Sequence, residues 1–177
     1  VFDPNNNVYY GGDNIDGFIG QMLTAESINK VRNLMENLAY DGNDLSGVDP
    51  MNYDPLNGLK YFPRRIAITE EMVIDGLPPR VGTYEVVDAR SNLFGQASLL
   101  CGTASFKNMM DPNNHSDSAH LAYHSVFDGD PFPAPMSQTG MPGPFDLMMG
   151  VSKVIFMNMM AMHFDGETGT FVDMALP

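Results

Sequence analysis

The chain has 177 residues, of which 22 are acidic and 9 are basic, and it carries a formal net charge of −13 at pH 7. A chain of this length can fold as one domain with its own core, and its 44% hydrophobic content excludes an intrinsically disordered tail. Nucleic-acid binding depends on clustered basic groups that displace counterions from phosphates, so the charge argues against nucleic acids and anionic lipids as partners. Metal cations and basic protein surfaces suit it better.

The first predicted element is an amphipathic helix from about Ala25 to Tyr40. Thr24 is a suitable N-cap, and Asp41-Gly42 can end the helix because glycine readily adopts the left-handed conformation of a C-cap. Apolar residues recur on one face at steps of three and four: Ile28, Val31, Leu34, Met35 and Leu38. The other face is polar, so we expect this helix to pack on a sheet.

A polar loop and a series of short strands come next. The loop, from Asp41 to Gly58, has four Asp, three Gly and two Asp-Pro pairs, which are typical turn residues. Period-2 alternation and β-forming residues predict four strands. They cover Leu59–Phe62, Arg65–Thr69, Met72–Ile74 and Val81–Ala89.

The second half of the chain is harder to assign. Leu93 to Phe106 is apolar with small residues, and its pattern fits either a strand or a packed helix. Val151 to Phe164 is predicted as the first strand of a hairpin with Thr170 to Leu176 as the second, because Val and Ile favour strands and the Asp165 to Gly169 loop is a strong turn. A helix over Lys153 to Met162 is the competing interpretation, since Met is a good helix former.

Together these elements predict an α+β fold in a single domain, residues 1–177. One amphipathic helix packs on a mainly antiparallel β-sheet, with long loops rich in Asp, Asn, Gly and Pro at 41–58 and 107–150. Asp-Pro and Asp-Gly each occur five times at irregular spacing. Irregular spacing indicates repeated turn chemistry rather than a solenoid repeat.

The sharpest candidate site is a group of three histidines. His120 and His124 are four residues apart, which would place both imidazoles on one face of a helical turn, a geometry that suits zinc, copper or iron. His115, Asp128 and Asp130 could complete the ligand set. The segment lacks a His-Glu-x-x-His signature, so the alternative is a set of surface histidines in a polar loop.

Calcium is a second candidate ligand. Asp3, Asn5 and Asn7 resemble the start of an EF-type loop, but Val8 stands where that loop needs glycine. The loop from Asp41 to Asp54 offers oxygen ligands without that register. Ordinary Asx turns would account for the same residues.

The methionines near the C-terminus offer thioether ligands of the kind that select Cu(I), with His163 beside them. The methionines concerned are Met157, Met159, Met160 and Met162. The whole chain, however, has 15 Met. Adaptable core packing is therefore the better explanation of the cluster.

Nucleophilic catalysis has little support in the sequence. There is no Gly-x-Ser-x-Gly motif and no glycine-rich phosphate loop followed by lysine. Cys101 lies in an apolar run, so it is predicted to be a buried and inert thiol. A single cysteine also excludes an intramolecular disulfide. The carboxylates of Glu70, Glu71 and Glu85 are expected to be solvated.

The sequence therefore predicts a non-enzymatic binding or assembly subunit, exported or at a particle surface, with loops ordered by a divalent cation: Ca²⁺ or a His-bound transition metal. The first residue, Val1, agrees with a secreted, extracellular product that has lost a signal peptide, although removal of Met would leave the same residue. Expected partners are another protein or further copies of the chain, without nucleic-acid binding or membrane insertion. The alternative is a small metalloenzyme or metal-binding protein that uses the histidine group.

Overall fold

The computed structural model of the protein describes residues 2–3, 8–9, 15–71, 80–111 and 143–176, with side chains from residue 22 onward. The chain divides into two compact units. The first unit combines Val1–Asn33 with Leu100–Lys153, and the second combines Leu34–Leu99 with Val154–Pro177. Each unit is described below by itself.

Three long helices and several small antiparallel sheets make up the described part of the chain. The helices are α1 (Ile15–Asn37), α2 (Leu93–Met110) and α3 (Pro144–Met162). This mixed content agrees with the α+β class in its loose sense. The single helix expected from the sequence is replaced by three.

Helix α1 covers most of the predicted helix but has different ends. It begins at Ile15, so Thr24 lies inside the helix and does not cap it. It ends at Asn37 rather than Tyr40, because the next residues enter a strand. The Tyr40 N–H donates to the Tyr61 carbonyl at 2.8 Å and the Tyr61 N–H donates back at 3.0 Å. Strand pairing therefore takes the backbone groups that another helical turn would need.

Helix α3 overturns the predicted strand at Val151 to Phe164. Pro144 suits the first helical position, and the Asp146 carboxylate accepts the Gly143 N–H at 2.9 Å in the manner of a capping box. Side chains at helical spacing are fully buried: Met148, Val151, Val154, Ile155 and Asn158. Burial of a face with helical period outweighs the strand propensity of Val and Ile, which is weak and depends on context.

The segment from Leu93 to Phe106, whose pattern fits either a strand or a helix, belongs to helix α2. The prediction that Cys101 is buried is wrong. Asn92 caps the helix, since its Oδ1 accepts the Gly95 N–H at 2.8 Å. The buried positions Gln96 and Thr103 are seven residues apart and share one face. Cys101 is five residues after Gln96, about 140° around the helix. Its thiol is consequently exposed rather than buried.

The described strands form five two-stranded antiparallel sheets. The longest pairs β5 (Arg65–Glu71) with β6 (Arg80–Asp88), and all the other strands have two residues each. The short pairs are β1 (Phe2–Asp3) with β2 (Val8–Tyr9), β3 (Ala39–Tyr40) with β4 (Leu45–Ser46), β7 (Ser91–Asn92) with β10 (Met174–Ala175), and β8 (Phe164–Asp165) with β9 (Thr170–Phe171).

Several predicted strands differ from these. Of the segment Leu59–Phe62, Tyr61 alone forms a bridge, to Tyr40. The turn that was expected after Phe164 is present as the β8–β9 pair, with Gly169 at a φ of 69°. The predicted strand at Met72–Ile74 and most of the predicted loop 107–150 lie outside the described residues.

Each unit has its own buried cluster. In the first unit Met110, Phe145 and Met148 pack with Ile28 and Phe106, and the Lys107 ammonium lies 5.3 Å from the centre of the Phe145 ring. A cation over an aromatic face adds a modest attraction to this packing. In the second unit the largest fully buried side chains belong to Tyr61, Ile155, His163, Val154, Asn158 and Ser91.

By length and composition, α3 is the helix among the described residues that could cross a membrane, since an 18-residue stretch of it has a mean hydropathy of 1.3, and 39% of that stretch is buried. A core helix of a folded domain meets the same criteria. The buried Asn158 and the hydrogen-bonded Ser152 on α3 contact polar groups of the protein, at Lys60 and Thr103 respectively.

Tyr61 gives the fold a dependence on alkaline pH. Its side chain is 1% exposed, its hydroxyl donates to the Ala89 carbonyl at 2.6 Å, and its ring packs edge-on against Tyr40. Burial, with a smaller contribution from Tyr40, raises the pKa of Tyr61 from its ordinary value of 10.0 to about 12. The folded protein therefore holds this proton at a pH where the unfolded chain releases it.

We expect the free energy of unfolding to fall as the pH rises from 10 towards 12, by up to about 3 kcal/mol from Tyr61. The sign follows because the group binds its proton more tightly in the folded state. Urea unfolding at several pH values, followed by circular dichroism, measures the slope. Tyr61→Phe should be less stable at pH 8, through loss of the bond to Ala89, but should have a flatter alkaline slope. An unchanged slope in Tyr61→Phe would contradict the assignment.

Candidate functional site

The residues of the predicted histidine site, His115, His120, His124, Asp128 and Asp130, lie outside the described residues. Within the described ranges, no group of three or more His, Cys, Asp or Glu side chains is arranged to hold a metal ion. The histidine site therefore stays a prediction.

The described Asp-rich turns use their carboxylates locally. Asp41 Oδ1 accepts the N–H groups of Asn43 and Asp44, each at 2.9 Å, and these bonds lower the pKa of Asp41 below its ordinary value. Asp165 accepts the Thr168 hydroxyl at 2.8 Å and the Glu167 N–H at 2.9 Å, which lowers its pKa in the same way. These carboxylates act as Asx-turn acceptors, the role that the sequence offered as the alternative to calcium binding.

His163 is bonded at both ring nitrogens. Nδ1 lies 2.8 Å from the Val172 carbonyl, and Nε2 lies 2.8 Å from the Ser91 hydroxyl. A carbonyl oxygen can only accept, so Nδ1 carries the hydrogen, and in the neutral tautomer Nε2 accepts from Ser91. His163 is consequently not free to join the nearby methionines as a copper ligand.

Ser91 and His163 have the arrangement of a nucleophile beside a base, with the Val172 carbonyl orienting the ring. Both residues, however, are 1% exposed. A substrate cannot reach a hydroxyl at that depth, so in this state the three groups form a buried structural network. The network could not be predicted from the sequence, because Ser91 and His163 are 72 positions apart and belong to no short motif.

A second buried network connects Tyr53, Lys60 and Asn158. The Tyr53 hydroxyl donates to Asn158 Oδ1 and accepts the Lys60 N–H at 3.1 Å, while Asn158 Nδ2 donates to the Lys60 carbonyl at 2.8 Å. Burial raises the pKa of Tyr53. Every polar group of this network is paired, which favours a structural role.

The β5–β6 hairpin presents partly exposed apolar side chains on one of its two faces. Its register sorts the side chains onto two faces, because directly opposite residues of an antiparallel pair project to the same side. We define the apolar hairpin face by the pairs Ile66–Val86 and Ile68–Tyr84, together with Val81, which lies opposite Glu70. Ile68 is 57% exposed and Val81 is 54% exposed.

The opposite side, which we call the charged hairpin face, carries the pairs Arg65–Asp88, Ala67–Glu85 and Glu71–Arg80. Glu70, Glu71 and Glu85 are all exposed, as the sequence predicted. The base of the hairpin is fixed by Asp88, which accepts from Arg90 at 2.7 Å and from Arg64 at 3.1 Å. The Arg90 guanidinium, with help from Arg64, holds the pKa of Asp88 well below its usual range.

Two irregularities interrupt the hairpin, and both insert the extra residue into β6. Between the pairs Arg65–Asp88 and Ile66–Val86, β6 has one residue more than β5, and the same holds between Ile68–Tyr84 and Glu70–Val81. Thr69 lies at the second irregularity, where its Oγ1 accepts the Thr83 N–H at 2.8 Å. β5 is therefore a regular strand, and β6 carries the bulges.

Comparison with protein-family models, with curated proteins and with solved structures finds no match to this chain.

Proposed function

We propose that the chain is a non-enzymatic binding or assembly subunit, exported or displayed at a particle surface, that makes its contact through the apolar hairpin face. The observation that carries the proposal is the half-exposed row of Ile68 and Val81 on a hairpin of two strands. Exposed apolar surface at a defined structural element is typical of protein contact sites.

The energetics of a hairpin support this proposal. Two strands alone are marginally stable in water, whereas a sheet of three or more strands with a covered apolar face is stable. Complete burial of an Ile or Val side chain contributes about 1.5–3 kcal/mol relative to exposure. A partner on this face would therefore stabilise both the contact and the hairpin.

The net charge of the chain supports the proposed kinds of partner. The net charge of −13 disfavours nucleic acids and anionic membranes and favours a protein partner, further copies of the chain, or cations. As part of the same proposal, Ca²⁺ or a transition metal orders the Asp-rich loops.

We expect Ile68→Asp to weaken concentration-dependent association of the protein at least about 100-fold, because each of two copies would lose about 1.5 kcal/mol of apolar burial. Light scattering after size-exclusion chromatography, over a range of concentrations with Ca²⁺ or with EDTA, measures the association. Leu56→Asp is the matched control, since Leu56 is 92% exposed and lies outside the hairpin. The assembly proposal would be contradicted if the wild-type protein were monomeric at every concentration and its molar mass were the same with Ca²⁺ and with EDTA.

A small metalloenzyme or metal-binding protein is the second candidate, favoured by the four-residue spacing of His120 and His124 with His115 nearby. Elemental analysis of the wild type beside the His120→Ala/His124→Ala variant separates the two candidates. Stoichiometric transition metal that is lost in the variant supports the second candidate, and a metal-free wild type removes it.

A further inference from the structure

The outer edge of β5 is suited to pairing with another strand. Among the described residues, β6 is the strand that pairs with β5, and the bulges lie on β6. β5 has seven residues, Arg65–Glu71, without proline or glycine. A regular, exposed strand edge is a template for antiparallel addition of a further strand, unless the protein blocks it.

The side chains of β5 are complementary to a second copy of the same strand. In a two-fold antiparallel pair centred on Ile68, Arg65 lies opposite Glu71 of the second copy, and Glu71 lies opposite its Arg65. Ile68 then lies opposite itself on the apolar hairpin face. A two-fold contact makes each such pairing twice, so the strand gains two ion pairs of opposite charge. Among the described residues, Arg65 and Glu71 form no ion pair within one chain.

The register is restricted by the two faces of the hairpin. A shift of one residue would place the apolar hairpin face of one copy on the same side as the charged hairpin face of the other, because the side chains of a strand alternate. Shifts of two residues keep the faces together but leave strand ends unpaired and separate Arg65 from Glu71 of the other copy. Centring on Ile68 is the register that pairs all seven residues and joins opposite charges at both ends.

We propose that the hairpin's partner is a second copy of this chain, added edge to edge through β5 and centred on Ile68. The resulting four-stranded sheet has the order β6–β5–β5–β6 and brings the two apolar hairpin faces to one side, where Ile66 of each copy lies opposite the exposed Glu70 of the other. This inference rests on the proposed assembly function and gives it a partner and a geometry.

A charge-exchange experiment tests the ion pairs. Arg65→Glu and Glu71→Arg should each weaken self-association at least about tenfold at low salt, because each change turns two attractions into repulsions. An equimolar mixture of the two variants should associate as a heterodimer. At one contact the Glu introduced at position 65 faces the Arg introduced at position 71 of the other variant. At the second contact the wild-type Glu71 of the first variant faces the wild-type Arg65 of the other. Arg32→Glu, the same charge change at an exposed position of α1 outside the hairpin, should leave association unchanged. Sedimentation equilibrium measures all four.

Disulfide cross-linking tests the register. In a Cys101→Ser background, oxidised Ile68→Cys should give a covalent dimer, because a residue on the two-fold axis lies within disulfide reach of its copy. Val81→Cys is the control of similar exposure on β6, and it should stay monomeric under denaturing conditions.

The outcomes separate the two proposals. Edge pairing is supported if the equimolar mixture of the two charge variants associates and if Ile68→Cys forms the cross-linked dimer. Edge pairing is wrong if the charge changes do not alter self-association, or if Val81→Cys forms the cross-linked dimer. Either result is still compatible with the proposed assembly function. A wild type that is monomeric at all concentrations overturns both.

Discussion

His163→Ala is expected to lower the free energy of unfolding by about 4 kcal/mol. Two physical losses add together. Removal of a fully buried ring leaves a cavity, and the Ser91 hydroxyl and the Val172 carbonyl lose their partners in a place closed to water. Urea unfolding at pH 7.5, followed by circular dichroism, measures the change in midpoint.

A double-mutant cycle shows whether the network is the cause. Ser91→Ala alone removes a small side chain and leaves Nε2 of His163 unpaired, so it should cost about 1–2 kcal/mol. With His163→Ala already present, Ser91→Ala should cost much less, because its partner has gone. Additive effects of the two changes would show that the bond between Ser91 and His163 contributes nothing to stability.

The hairpin is the part of the molecule that could be predicted from the sequence, because strand alternation is a local pattern. The predicted strands at Arg65–Thr69 and Val81–Ala89 correspond to β5 and β6 within two residues at each end. The apolar hairpin face follows from alternation once the register is known. The register itself depends on two bulges in β6, for which the sequence has no strong signal beyond Gly82.

Helix α3 shows where local pattern misleads. Val154, Ile155 and Phe156 favour a strand, and a strong turn follows them, so a hairpin was the preferred prediction. Helical periodicity of the buried residues decides the outcome, but that periodicity is hidden because methionines and other apolar residues occupy both faces of the helix: Met149, Phe156 and Met160 are exposed. Tertiary burial, which propensity does not contain, selects the helix.

The buried polar networks could not be predicted, because they join residues far apart in the chain. Asn158 meets Tyr53 across 105 positions, and His163 meets Ser91 across 72. Neither pair belongs to a spaced motif. A polar residue within an apolar helix was the one available signal, since a buried amide or imidazole needs partners elsewhere in the fold.

Asn158→Leu is expected to lower the free energy of unfolding by about 3 kcal/mol although the side chain keeps its branched shape and opens no cavity. The Tyr53 hydroxyl loses its acceptor, and the Lys60 carbonyl loses its donor. Because no cavity forms, the cost comes from the unpaired polar groups and from fitting two methyl groups that are larger than the amide oxygen and nitrogen. Thermal and urea unfolding, each followed by circular dichroism, give the change.

Asn158→Asp tests the effect of a buried negative charge at this position. A carboxylate keeps an acceptor for the Tyr53 hydroxyl but meets the Lys60 carbonyl with negative charge in a buried place, so this variant should be less stable than Asn158→Leu at pH 7. Lowering the pH to 4 should recover part of its stability, because a protonated carboxyl is neutral and can donate to Lys60. Tyr53→Phe should reduce the difference between Asn158 and Asn158→Leu, since the bond from Tyr53 is already absent, while the bond from Asn158 to the Lys60 carbonyl keeps the rest of the difference. If Asn158→Leu were as stable as the wild type, the hydrogen bonds of Asn158 would contribute no net stability.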